Sequence, residues 1–508
     1  MKRIVLIITA LFALNCYAQE PLNLIMDKAG VYCYDYNCLL TGQGDEHYVC
    51  MDYTMLNSFT RICQDIITCV SKNGTEGRKI TVERSMDYNL LAFYEGESNI
   101  YCLYSNYEYS SKSYSLYLNT IPKDATVGTW NPEKVISFHL EKREDVLVGT
   151  AVSPDQTKAG VIILQVNKAG LFQSDKSDKL KGSAVLMFGE DGLLWSNPLE
   201  IDLANSTLSI LDIAVSNTPN VYVAITSYNQ TKSSNMKKEN EMLHLFEVGA
   251  EETRTAEVQP DFGNLLNGKL LVCASGDISI GGYYQKDINQ KSTGAYMATF
   301  DGKQMEGNLN YQPFPQAYYD YKHPKFSKKG EDFEAVPVDF KEFSNGTKVL
   351  LGEPRTEVHV PNFSYTLFGN ILVSFADKSG QFDDFQMIQK DQALLNYGKS
   401  TKFYQSALVC FNTFLRDNKL YLFYNDNIAN HTGKPGQALV VTNTRYDKKC
   451  GLYTTIESDH RISDPIMFVD YKNYKCVFYR PLFIDEDGLL VYNTTKLYGA
   501  LSKLMRTF

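Results

Sequence analysis

Short runs of Val, Ile, Leu, Tyr and Phe recur along the chain, separated by Asn-Gly, Asp-Gly and Asp/Asn clusters. Runs of this kind, bounded by turn formers, read as β-strands. One unit repeats. Its first half is a turn and a strand, with Asn267-Gly268 before 269–272, Asn345-Gly346 before 347–351 and Asp417-Asn418 before 419–423. Its second half is a strand that ends in a polar turn, as in 160–167, 295–302, 371–377 and 438–443. These strands are apolar at consecutive positions instead of alternating ones, which a strand needs when both of its faces are covered.

The units are spaced by about 50 to 70 residues, the scale of a propeller blade with loop insertions. The expected fold is therefore all-β: a β-propeller of six to eight blades, seven when boundaries are drawn at 87–135, 136–205, 206–263, 264–335, 336–400, 401–460 and 461–508. Residues 19–86 form a Cys-rich N-terminal segment that completes or caps the ring. Within it, 55–70 reads equally as a short helix or as paired strands. Two polar stretches, 231–240 and 319–332, read as solvated inserts whose lysines form a hydrated face.

Composition agrees with this. The 508 residues include 35 Tyr and 27 Phe but only 2 Trp, are 44% hydrophobic and 21% charged, and so favour a folded chain rich in half-buried pleated surface. Residues 1–18 carry Lys2 and Arg3, an apolar run over 4–14 and Ala18 before Gln19, the layout of a secretory signal peptide. A lipoprotein reading through Cys16 fits less well, because Asn15 stands where a small residue is needed. No later run is long enough to span a bilayer. Without Lys2 and Arg3 the chain has 48 basic against 59 acidic residues, a formal charge of −11, which disfavours nucleic acid as a partner.

Of the ten cysteines after the leader, Cys33, Cys38, Cys50, Cys63, Cys69 and Cys102 crowd the first part of the chain. In an exported protein they are disulfide candidates, and six cysteines allow 15 pairings. Their spacing has no metal knuckle. Cys273, Cys410, Cys450 and Cys476 sit in or beside strand-like runs, where small core residues and bridged pairs compete evenly.

The run 417–427, Asp-Asn-Lys-Leu-Tyr-Leu-Phe-Tyr-Asn-Asp-Asn, resembles the "gDKLYFIFNDN" strand of a large group of uncharacterised, secreted β-propeller-like proteins of Bacteroidetes. Residues 377–380 followed by 388–392 are similar to that group's "DxxGxIxWxxxIxKxQ" segment, and 340–353 resembles its "DFxxxxdGgxxLxxE" strand pair, with Glu353 at the end. The match covers roughly 340–445. Here Asp383-Asp384-Phe385 stands in place of the group's tryptophan, and the cysteine cluster is outside the pattern. The resemblance implies a propeller fold and an exported protein, and supplies no catalytic residues.

Candidate chemistry is sparse. Glu190-Asp191-Gly192 with Trp195 departs from the sialidase Asp-box and reads as a turn closed by an aromatic. Arg355, Arg461 and Arg480 are the guanidiniums a carboxylate clamp would use, and Asp383, Asp384, Asp464 and Asp470 the carboxylates a glycosidase would use. The seven histidines are scattered singly with no HExxH, so neither a metal nor a cofactor is expected. Asp485 to Gly488 reads as a hairpin turn instead of a calcium loop.

These observations favour an exported, non-enzymatic propeller that binds a protein or glycan partner in the cell envelope or outside it. Loop aromatics and charges, Tyr318, Tyr319, Tyr321 and His323, are its candidate binding residues. A glycan-acting hydrolase or lyase with carboxylates at the propeller mouth is the alternative.

Overall fold

The computed structural model describes residues 38–41, 46–56, 61–71, 76–85, 87–141, 144–167, 180–200, 207–230, 238–286, 292–320, 334–360, 363–396, 411–431, 439–440, 449–470, 476–485, 488–495 and 499–505. Among them the strands fall into eight successive sheets. The first holds β1 (Cys38–Thr41), β2 (Glu46–Leu56), β3 (Arg61–Ser71) and β4 (Glu76–Arg84). The second holds β5 (Tyr88–Glu95), β6 (Asn99–Glu108), β7 (Ser113–Pro122) and β8 (Glu133–His139). The third holds β9 (Glu144–Val152), β10 (Ala159–Asn167), β11 (Leu180–Gly189) and β12 (Gly192–Asn197). The fourth holds β13 (Thr207–Val215), β14 (Val221–Gln230), β15 (Lys238–Val248) and β16 (Thr253–Val258), and the fifth β17 (Asn264–Val272), β18 (Ile278–Gln285), β19 (Gly294–Phe300) and β20 (Gly307–Pro313).

A short helix, α1 (Gln316–Asp320), leads to the sixth sheet. This contains β21 (Glu334–Glu342), β22 (Lys348–Val360), β23 (Phe363–Phe368), β24 (Ile371–Ala376), β25 (Phe382–Ile388) and β26 (Gln392–Asn396). The seventh has β27 (Phe411–Arg416), β28 (Lys419–Asn427), β30 (Lys449–Glu457) and β31 (Ile466–Asp470). Between β28 and β30 stand α2 (Ile428–His431) and β29 (Leu439–Val440), the latter paired with β26 of the sixth sheet. The eighth has β32 (Cys476–Asp485), β33 (Gly488–Thr495) and β34 (Gly499–Met505).

This is an all-β propeller. Successive strands pair antiparallel within each blade sheet, and the first strands β5, β9, β13, β17 and β21 lie beside one another from sheet to sheet. The sheets stack face to face. Ile163 and Leu186 of the third sheet pack on Tyr94 and Leu103 of the second, while Ile162 and Val185 pack on Val223 and Ile225 of the fourth. Neighbouring residues of β10 thus point into two different buried seams, so the strand is apolar at consecutive positions from Val161 to Leu164. The same stacking joins the fourth to the fifth sheet (Leu243, Ile280), the fifth to the sixth (Tyr283, Leu350) and the sixth to the seventh (Val373, Leu422). Between the first and second sheets, Ile67 and Val82 meet Phe93 and Ile100.

Because strands alternate direction, the connections fall on two rims. First-to-second and third-to-fourth strand turns lie on one, and most are tight. Second-to-third strand connections and the links between sheets lie on the other. The helices and the extra strands belong to this long-connection rim. There β22 runs past its blade: its first half pairs with β24 and its second with β23, which pairs in turn with β26, so β22, β23, β26 and β29 form a sheet beyond the blade.

The short-turn rim is stitched together by one recurring contact. An outer-strand side chain donates to carbonyls in the third-to-fourth turn of the next sheet: Asn197 to Gly249 and Ala250 (2.6 and 3.2 Å), Arg254 to Gly302 and Lys303 (2.8 and 3.0 Å), Asn310 to Ser379 (3.2 Å) and Gln386 to His460 (2.8 Å). Turn carbonyls cannot pair within their own sheet, and the neighbour satisfies them.

Several expectations change. Within 55–70 the described residues, 55–56 and 61–70, are strand, with β2 and β3 paired from Glu46↔Ser71 to Leu56↔Arg61. Asn345-Gly346 and Asp417-Asn418 are turns, with φ of +85° at Gly346 and +49° and +58° at Asp417 and Asn418. Asn267-Gly268 is not a turn. It lies inside β17 at a bulge, where the Asn267 amide donates to the Ala335 carbonyl and Gly268 leaves room for the Tyr296 hydroxyl, 2.6 Å from where a Cβ would stand. The 438–443 run contributes β29 to the sheet beyond the blade instead of a blade strand. Lys238 is no hydrated lysine: its ammonium bonds Glu241 and the Leu265 carbonyl and lies over the Tyr228 ring.

Candidate functional site

A buried polar grouping lies on the long-connection rim, between the sixth and seventh sheets. Glu353 stands on β22 just where that strand changes partner from β24 to β23. Its carboxylate accepts from the Lys390 ammonium and from Arg355 Nε (3.2 Å), and the Glu353 and Lys390 side chains are 0% exposed. Lys390 also donates to Gln392 Oε1 (3.2 Å) and rests over the rings of Phe368 and Phe411. Gln392 donates to the Asn425 carbonyl on β28. The next residue, Asp426, accepts from Asn430 (2.9 Å) and from His431 Nε2 (3.0 Å) on α2. Burial pushes the Asp426 carboxyl above its ordinary range, and the His431 bond opposes that shift.

The three segments that carried the resemblance therefore meet here, through Glu353, through Lys390 and Gln392, and through Asn425 and Asp426. Their pairing is a product of fold and not of spacing: Lys390 follows β25 at the blade's outer edge, and the chain must turn back under the blade to start β26. Hydrogen bonds run from β22 through Lys390 and Gln392 to β28, so the group acts as a polar joint between two blades.

A second grouping crosses the fourth sheet. Ser227 Oγ lies 2.7 Å from His244 Nε2, and His244 Nδ1 lies 2.9 Å from Glu257 Oε1. Burial holds the imidazole below its ordinary pKa, with Glu257 pulling the other way, so Nδ1–H donates to Glu257 and Nε2 accepts from Ser227. The order is that of nucleophile, base and orienting acid, but Ser227 is 4% exposed and lies in the seam toward the third sheet. Its effect here is to tie β14, β15 and β16 together.

The residues singled out from sequence are dispersed. Tyr318 is 1% exposed, and its hydroxyl donates to the Val373 and Gln386 carbonyls, so it is a core residue and not an exposed loop aromatic. α1 folds it inward because Phe314, Phe385 and the buried face of the sixth sheet offer more apolar contact than solvent does. Tyr319 is half-buried and donates to the Thr293 carbonyl (2.7 Å). Tyr321 and His323 lie outside the described residues.

Asp383 and Asp384 are on β25, the outer strand, at the perimeter and not at a central mouth; both face His460 of the seventh sheet (3.6 and 3.8 Å). Arg355 is on the long-connection rim, whereas Arg461 is on the short-turn rim with Asp459 and Glu457, so these two do not converge. The side chains of Arg480 and Asp470 lie outside the description. Trp195 closes a blade edge, donating to the Pro219 carbonyl (3.2 Å).

Among the disulfide candidates, Cys69 and Cys102 are buried in the seam between the first two sheets, and Cys102 is a free thiol. Cys33 is outside the described residues, as are the side chains of Cys38, Cys50 and Cys63. Among the described residues, no group of His, Cys, Asp and Glu is placed to hold a metal ion, and no helix is long and apolar enough to cross a membrane.

No protein-family profile and no curated protein matches the chain. Solved structures with a similar course include an acylaminoacyl peptidase of Pyrococcus horikoshii, at 8% identity over 93% of this chain and 59% of that one, TM-score 0.36. A Trypanosoma rangeli sialidase aligns at 10% identity over 70% of this chain and 54% of that one, TM-score 0.33. BamB from Moraxella catarrhalis aligns at 9% identity over 78% and 96%, TM-score 0.30. The chain thus spans about three-fifths of the peptidase's length. Likeness at this level says nothing of activity.

Proposed function

We propose that the chain is an exported propeller that acts as a binding or scaffold module, engaging a protein or glycan of the cell envelope through its long-connection rim. One observation supports this reading: the two rims are built differently. Turn carbonyls on the short-turn rim are taken up by the neighbouring sheet at four successive junctions. The opposite rim carries the helices, the sheet beyond the sixth blade and the longer connections, the kind of loop surface on which propellers display recognition residues.

The test compares charge reversals on the two rims. The full chain would be immobilised and exposed to envelope extract, with Lys112→Glu, Glu141→Lys, Glu239→Lys and Asp261→Lys on the long-connection rim, and Asp191→Lys and Glu251→Lys on the other. A component retained by wild type should be lost with the first set and kept with the second. Equal retention by both sets would refute the reading.

A further inference from the structure

Among the described residues three tyrosines are exposed, and all three stand toward the long-connection rim: Tyr107 (37%), Tyr109 (85%) and Tyr311 (45%). Of the other exposed large apolar residues, Val127, Leu193 and Leu194 stand toward the short-turn rim, whereas Met467, paired with Leu452 near the start of β30, stands toward the long-connection rim. Scattered exposed apolar residues need no explanation, but the gathering of all three exposed tyrosines on one rim does.

Each exposed tyrosine is propped by a second ring. Tyr107 and Tyr109, at the tip of the β6–β7 hairpin, meet edge to face at 4.8 Å and 89°. Tyr311, near the end of β20, stacks on Phe262 at 4.1 Å and 26°, and Tyr284 abuts both from below, edge-on. The supports are hydrogen-bonded. At the hairpin, Ser111 donates to Glu108 (2.7 Å), His139 bonds the Ser111 carbonyl (3.1 Å) and the Leu140 amide bonds the Lys112 carbonyl (2.7 Å). Beside Phe262, Gly263 has φ +153°, and a Cβ there would lie 2.4 Å from the Gln285 carbonyl, so only glycine lets the chain pass.

We infer that these two tyrosine platforms bind a glycan. This rests on the reading of the long-connection rim as the binding side. A sugar ring offers a patch of C–H groups that an aromatic face covers, and hydroxyls that need hydrogen-bonding neighbours. Around the hairpin tip those neighbours are Glu108, Ser111, Lys112 and His139. A protein partner would instead use aromatics set in a water-excluding apolar border, and the exposed valine and leucines, Val127, Leu193 and Leu194, lie toward the other rim. Rings already held in place lose little conformational freedom on binding.

The test is affinity electrophoresis of the full chain through gels containing xyloglucan, mixed-linkage β-glucan, galactomannan, dextran or mucin, followed by calorimetry with the polysaccharide that retards it. At least one should retard wild type. Tyr109→Ala and Tyr311→Ala should each weaken binding about five- to tenfold, the value of one aromatic contact, while Tyr109→Phe and Leu193→Ser leave it intact. Migration unaffected by every polysaccharide, or retardation unchanged in the Tyr109→Ala/Tyr311→Ala double variant, overturns the inference. An envelope protein retained through the long-connection rim without polysaccharide binding would sink the glycan while leaving the binding role standing.

Discussion

Lys390 and Glu353 are 37 positions apart in the chain, yet their charged groups meet with neither side chain exposed. Removing Lys390 leaves the buried Glu353 carboxylate with only the part-exposed Arg355 as counter-charge. Lys390→Met should therefore cost about 3 to 5 kcal/mol, read from urea unfolding, whereas Glu353→Leu/Lys390→Met together should cost far less. If the double variant is as unstable as the single one, the pair contributes more than charge compensation.

His244 sets a pH dependence. Its imidazole is held below the ordinary 6.5 by burial, so the unfolded chain takes up the proton first. The stability it contributes is present above that value and is lost as pH falls below it. Wild type should thus lose stability more steeply than His244→Gln between about pH 7 and about pH 5. Parallel curves from chemical unfolding at each pH would show that this histidine is not the cause.

The recurring rim contact predicts a graded response. Asn310→Ala removes the donor to the Ser379 carbonyl and should cost about 1 kcal/mol; Arg254→Ala removes two carbonyl contacts and the bond to Glu247, and should cost more. The effects should add, because the two residues serve different junctions. Thermal unfolding of the single and double variants checks this.

Gly282 marks a close approach that cannot relax. A Cβ there would lie 2.1 Å from the Asn267 carbonyl, a backbone atom. Gly282→Ala should cost about 1 to 3 kcal/mol or more, whereas Gly276→Ala, with no atom within 4 Å but φ +90°, carries backbone strain alone. Comparing the two by denaturant midpoint separates overpacking from strain.

Cys102 and Cys273 are buried thiols, and burial pushes Cys273 up to about 11. Neither should react with a thiol reagent in the native protein, and both should react after denaturation without reductant. Peptide mapping of the labelled sites decides the matter, and a bridge at either position would contradict the structure.

Strand content and the doubly buried character of the blades were legible in the sequence, because a strand with both faces covered is apolar at consecutive positions and its turns use residues that tolerate positive φ. Asn345-Gly346 and Asp417-Asn418 were readable for that reason. Asn267-Gly268 carries the same local signal, yet lies inside a strand, since the Ala335 carbonyl and the Tyr296 ring recruit those residues from elsewhere in the chain. Tyr318 looked like a loop aromatic because the polar stretch 319–332 begins beside it; its two carbonyl partners lie 55 and 68 positions away. The motif residues Glu353, Lys390 and Asp426 could be quoted from the sequence, but their meeting could not. Local pattern determines which segments become strands and where they turn, since that depends on neighbours in the chain. Which outer strand reaches which turn, which carboxylate finds which ammonium and which rim keeps its aromatic rings in water depend on contacts between sheets, and only the tertiary structure decides those.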